Sequence, residues 1–136
     1  MDSFSGGCAC GHVRYTCTGK VLYMGNCHCR DCQHATGSGF FPAVMVKNDS
    51  LEIGSRSMAW YESRADRGHL MTRGFCSRCG SPVALKNAAN DAVTLLYAGS
   101  LDDPSWFAPS RNIFVSSAQP WVVMDPELLT HETMPG

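Results

Sequence analysis

Phe75-Cys76-Ser77-Arg78-Cys79-Gly80 has the form of a zinc knuckle. Two cysteines three positions apart can turn both sulfurs toward one ion, and Gly80 permits the unusual backbone of a turn whose amides face those sulfurs. A knuckle supplies only half of a tetrahedral site. The other half is expected from Cys8-Ala9-Cys10-Gly11, flanked by Gly6, Gly7 and Gly11, which let the loop bend around a metal. An ion held by Cys8, Cys10, Cys76 and Cys79 is a closed, structural site that ties the amino-terminal strand to the middle of the chain. The competing reading leaves Cys8 and Cys10 as buried apolar cysteines.

Three more cysteines stand within Cys27-His28-Cys29-Arg30-Asp31-Cys32. Cys27 and Cys29 point the same way from an extended segment, and Cys32 comes round on the next turn to make a three-sulfur cup. His28 projects away from it. His34 or Cys17 would close the cup as a structural site, although Cys17 alternates with Val13 and Tyr15 and so reads as core. Three protein ligands and an open position is the pattern of a catalytic zinc, and three thiolates select zinc over hard cations. They leave the ion one net negative charge, which weakens its power to acidify water; capture of an incoming thiol, held as an oriented thiolate, is expected instead. Two zinc ions per chain are therefore expected.

The rest of the 136 residues reads as one domain over 1–136. Hydrophobic residues make up 44% and charged ones 17%, the balance of a globular chain. A formal net charge of −1 gives no general attraction for nucleic acid. No apolar run approaches the roughly 20 residues of a membrane span, and Met1 to Gly7 has no signal-peptide pattern. A cytoplasmic location is expected, with no nucleic-acid or membrane partner. Eight cysteines in a secreted chain would suggest disulfides. The reducing compartment and the one- or two-residue spacings oppose that.

Short β-like runs dominate: Val13 to Thr18, Phe40 to Val46, Leu51 to Ile53, Met58 to Ser63, His69 to Gly74, Pro82 to Lys86, Val93 to Gly99 and Ile113 to Ser116. Arg30 to Ala35 can form a short helix stopped by Gly37, and single helical turns are expected at Asp102-Asp103-Pro104 and Asp125-Pro126-Glu127. The fold class is mainly β, with small antiparallel sheets, one or two short helical turns and cysteines carried on loops.

These motifs, in order, resemble the glutathione-dependent formaldehyde-activating family, which includes the centromere protein V domain. Gly6 to Tyr15 is similar to the family's opening motif. Cys27 to Cys32 with Gly37-Ser38-Gly39-Phe40 is similar to its central one, Phe75 to Gly80 to its knuckle, and Gly99 to Pro104 to a later segment. The resemblance spans Gly6 to about Trp121. It implies a β-tent fold, a structural zinc on Cys8, Cys10, Cys76 and Cys79, and a catalytic zinc on Cys27, Cys29 and Cys32. It also implies carbon–sulfur chemistry that adds glutathione to formaldehyde or cleaves the adduct. Two positions depart from the pattern: Gln33-His34 stand where basic residues are common, and Asn112 stands where a histidine precedes Ile-Phe-Val.

The function expected is that of a zinc-dependent carbon–sulfur lyase acting on a small thiol, glutathione, and a small aldehyde. Arg30 and Arg111 are candidates to hold substrate carboxylates, because a guanidinium pairs with them in two-point fashion. The alternatives are a non-catalytic zinc module that binds a protein, and a methionine sulfoxide reductase, which needs a free nucleophilic cysteine that only Cys17 could supply.

Overall fold

The computed structural model describes residues 3–54 and 56–135. Its eleven described strands are β1 (Phe4–Gly7), β2 (Arg14–Cys17), β3 (Tyr23–Cys27), β4 (Phe41–Lys47), β5 (Leu51–Gly54), β6 (Met58–Arg64), β7 (Leu70–Cys76), β8 (Pro82–Asn87), β9 (Val93–Tyr97), β10 (Arg111–Ile113) and β11 (Leu129–Thr130). One α-helix, α1 (Arg30–Thr36), and five short 3-10 turns complete the described secondary structure. The fold is mainly β.

Alternation builds the first sheet. Along β2, Tyr15 and Cys17 are buried while Arg14 and Thr16 face water, the two-residue period of a half-buried strand. β1 and β5 pair antiparallel on either side of it. The second sheet runs β11-β10-β3-β4-β9-β8-β7-β6. All its pairings are antiparallel except those of β10, which lies parallel to both β3 and β11. Pro82 opens its strand, where its missing N–H costs least.

The large sheet divides the interior. On β4, Val44 and Val46 pack with Val13, Tyr15, Cys17, Leu96, Cys8 and Cys76. Phe41 and Ala43 project from the other face and pack with Cys32, Leu85 and Tyr97. The two cysteine clusters therefore sit in separate cores, on opposite sides of one sheet.

Several boundaries differ from the sequence expectation. The run from Val93 stops at Tyr97, because Ala98–Ser100 forms a 3-10 turn in which Ser100 Oγ donates to Tyr97 O at 2.7 Å. The expected strand Ile113 to Ser116 ends at Ile113, because Phe114 takes a left-handed φ of 57°. At Asp125 the chain makes a turn without a helix, with the side chain accepting from Glu127 N at 2.9 Å. Pro104–Trp106 forms the helical turn expected there, capped by Asp103. No helix among the described residues is long and apolar enough to cross a membrane.

Candidate metal centres

The knuckle turns at Gly80, whose φ is 78° and whose N–H donates to Cys76 O at 2.8 Å. A side chain at that angle would be strained, so glycine is what lets Cys79 swing back beside Cys76. The sulfurs of Cys8, Cys10, Cys76 and Cys79 all lie within 4.8 Å of one another. Cys8 and Cys10 sulfurs are 3.6 Å apart, and those of Cys10 and Cys76 are 3.7 Å apart. A tetrahedral zinc with bonds of about 2.3 Å has sulfur–sulfur edges of about 3.8 Å. The four thiols fit such an ion, and none of the eight cysteines forms a disulfide.

Donors face these sulfurs as the sequence suggests. Val13 N donates to Cys8 Sγ at 3.2 Å and Arg78 N to Cys76 Sγ at 3.4 Å. The Ser81 side chain and amide, with the Cys10 amide, hold the Cys79 thiol down at about 5. Ser81 Oγ also accepts from Ala9 N at 3.1 Å, stitching the two cysteine pairs together.

The cup is built where β3 hands over to α1. β3 delivers Cys27, and His28 N then donates to Ile113 O at 3.0 Å, fixing the strand end against β10. Cys29 is the N-cap of α1: its backbone is extended and its sulfur accepts from Cys32 N at 3.3 Å. One thiol thus starts the helix and faces the cup. At the other end Gly37 closes the helix with a left-handed φ of 66°. The sulfurs of Cys27, Cys29 and Cys32 lie within 4.8 Å of one another, with Cys32 buried and the other two half-buried. Three thiolates at this spacing suit zinc. In the thiol form they share protons unevenly. Hydrogen bonds from Cys27 and Cys32, the Cys32 amide and the charge of Arg73 hold Cys29 down, whereas its own bonds to Cys29 and Cys32, together with burial, push Cys27 up.

No fourth His, Cys, Asp or Glu joins the cup among the described residues. His34 lies on α1 beside Arg30, 3.3 Å from its Nη2. Cys17 is completely buried in the other core. His28 points away as expected: its ring is buried and its Nε2 lies 3.0 Å from Asn112 Oδ1. Asn112 also accepts from Asn26 Nδ2 at 3.2 Å. It is a buried link between β3 and β10, on the sheet face away from the cup. Gln33 is buried too, so the departure from a basic residue there removes no open contact.

Arg30 and Arg111 stand differently. Arg30 is drawn along its own helix to Gln33 and His34. Arg111 pairs with Gly25, two positions before Cys27 pairs with Ile113, so it shares the sheet face of Cys27. Its Nη1 lies 2.8 Å from His131 Nε2.

Two residues at the cup escaped the sequence reading. Arg73 on β7 places Nη2 3.8 Å from Cys32 Sγ and donates from Nη1 to Tyr97 OH at 3.2 Å. The Tyr97 ring stacks on Phe41 at 4.0 Å. The available signal was Met71-Thr72-Arg73-Gly74-Phe75, where a charge interrupts an apolar alternation.

The family model for glutathione-dependent formaldehyde-activating enzymes matches residues 3–117. No curated protein matches the chain. Among solved structures, a crystal structure of a Rhodobacter sphaeroides protein, a structural genomics target, superposes with a TM-score of 0.58 at 19% identity. The match covers 72% of this chain and 87% of that one. At that identity the likeness concerns the fold alone.

Proposed function

The chain belongs to the glutathione-dependent formaldehyde-activating enzyme family, and from that premise we propose that it is a zinc-dependent carbon–sulfur lyase of the cytoplasm. Its substrates on this reading are glutathione and formaldehyde. The observation that carries the proposal is a cup of three cysteines, Cys27, Cys29 and Cys32, with no fourth ligand among the described residues.

Zinc in that cup would act as a Lewis acid, lowering the pKa of a thiol from its ordinary value of about 8.5. The chain's own residues do the rest. Phe41, Leu85 and Tyr97 pack behind Cys32 and keep water from that side of the sulfurs. Arg73 brings a positive charge to the same place. Arg111, on the face of Cys27, is proposed to hold a glutathione carboxylate, with Arg30 on α1 as the second contact. In the forward direction a carbon–sulfur bond forms between thiol and aldehyde carbon, and the thiol proton ends on the aldehyde oxygen. The reverse step cleaves that bond.

Completely buried, Cys17 offers no nucleophile for a methionine sulfoxide reductase. The test is exchange spectroscopy on glutathione and formaldehyde with catalytic amounts of zinc-loaded protein. Interconversion with S-hydroxymethylglutathione should accelerate, and Cys29→Ser should abolish the effect. Absence of any acceleration by fully loaded wild-type protein would remove this substrate pair.

A further inference from the structure

The most unusual charge in the molecule is Arg73. It sits at the centre of a strand, among Met71, Leu85, Leu95 and Tyr97 of the second core, and is half-buried. Arginines in such places are normally paired with a carboxylate. Among the described residues the one ion pair is Arg14 with Asp102, on the surface. Arg73 has instead a phenol, Tyr97 OH at 3.2 Å, and a sulfur, Cys32 Sγ at 3.8 Å.

We propose that Arg73 is the built-in counter-charge of the three-cysteine cup and makes the cup select an anionic fourth ligand over a neutral one. The inference rests on reading the cup as a zinc site. Three thiolates and a divalent cation sum to one negative charge, which repels an arriving anion. A guanidinium against Cys32 brings the local sum to zero, so an anion adds one charge rather than a second. A neutral ligand gains nothing comparable. Arg is suited to the role because its charge is held at any working pH and its planar fork is weakly hydrated. Its hydrogen bond to Tyr97, itself stacked on Phe41, fixes where that charge lies. Arg73 is thus a positioning and specificity residue, not a ligand.

Cobalt-loaded full-length protein provides the test, since the visible bands of cobalt report a change of ligand at the cup while the closed site stays fixed. Wild type is titrated with thiocyanate, an anion at every working pH, and with imidazole, which is neutral near pH 8. Arg73→Met should weaken thiocyanate about tenfold or more, as expected for a unit charge a few ångströms away in a partly screened site. Imidazole should change less than about twofold on the same physical grounds. Arg73→Lys, which keeps the charge, should recover most of the thiocyanate affinity. Equal loss of both ligands in Arg73→Met means that the residue only shapes the cup and overturns the proposal, as does unchanged thiocyanate binding. Should Arg73→Met not fold, Arg73→Lys against Arg73→Gln makes the same comparison. A wild-type cup that takes up no cobalt while the closed site fills would overturn the metal reading itself, a distinct failure.

Discussion

Gln33 Nε2 donates to the carbonyl of Ser117 at 3.0 Å, joining the helix that carries Cys32 to the segment beyond β10. The same amide donates to His28 O at 2.8 Å, and its oxygen accepts from Gln119 Nε2 at 3.1 Å. Gln33→Ala would strand two carbonyls whose donor is buried, at a cost of about 1–3 kcal/mol. Gln33→Lys should cost at least as much, because an ammonium enters a site only 4% exposed. Urea unfolding of the three proteins measures both. Wild-type stability in either variant would mean that this clamp holds nothing.

Loss of a ligand should separate the two cysteine clusters. Metal analysis of fresh wild-type protein is expected to give close to two zinc ions per chain, the closed one resisting chelators longer. Cys76→Ser or Cys79→Ser should sharply lower the melting temperature or prevent soluble expression, because an ion held there would be coupled to folding. Cys29→Ser should keep the fold and lose one ion. Cys17→Ser should keep both ions and cost about 1 kcal/mol of packing; a missing ion in that variant would reassign the ligands.

Alkaline pH gives a third prediction. Burial pushes Tyr15 up to about 12, although Ser100, 2.7 Å from its hydroxyl, opposes that shift. A group whose folded pKa is raised contributes stability that is complete below its unfolded pKa of about 10 and is lost as pH rises through the folded value. Wild-type stability should therefore fall between about pH 10 and 12. Tyr15→Phe should flatten that fall while costing about 1 kcal/mol at neutral pH through the lost hydrogen bond. Denaturant melts across this range decide, and an equally steep fall in the variant would place the titration elsewhere.

Local spacing made both cysteine clusters legible, because the cysteines that converge are the ones that turn the chain. Cys29 shows this best, as cap and cup in one side chain. The strands that were missed lacked a pattern to read. Gly25-Asn26 within Tyr23–Cys27 looks like a turn, and Phe4-Ser5-Gly6-Gly7 has no alternation. Both are strands because their neighbours pair with them. The parallel placement of β10 beside β3, and the arrival of Arg73 at Cys32 from 41 positions away, are tertiary facts that no window of sequence contains. Asn112 and Gln33 depart from the family pattern, but their burial gives them a different meaning from the one that residue type alone suggests.

The two cysteine clusters also differ in when they can exist. Cys27, Cys29 and Cys32 leave the ribosome within six residues of one another, so the three sulfurs of the cup are made together. The closed cluster must wait, with Cys8 and Cys10 already exposed, until Cys79 has been synthesised. A growing chain therefore holds all three thiols of the cup before it holds all four of the other cluster. On the proposed zinc reading, a cellular factor that delivers the metal during synthesis would meet the cup before the four-cysteine cluster.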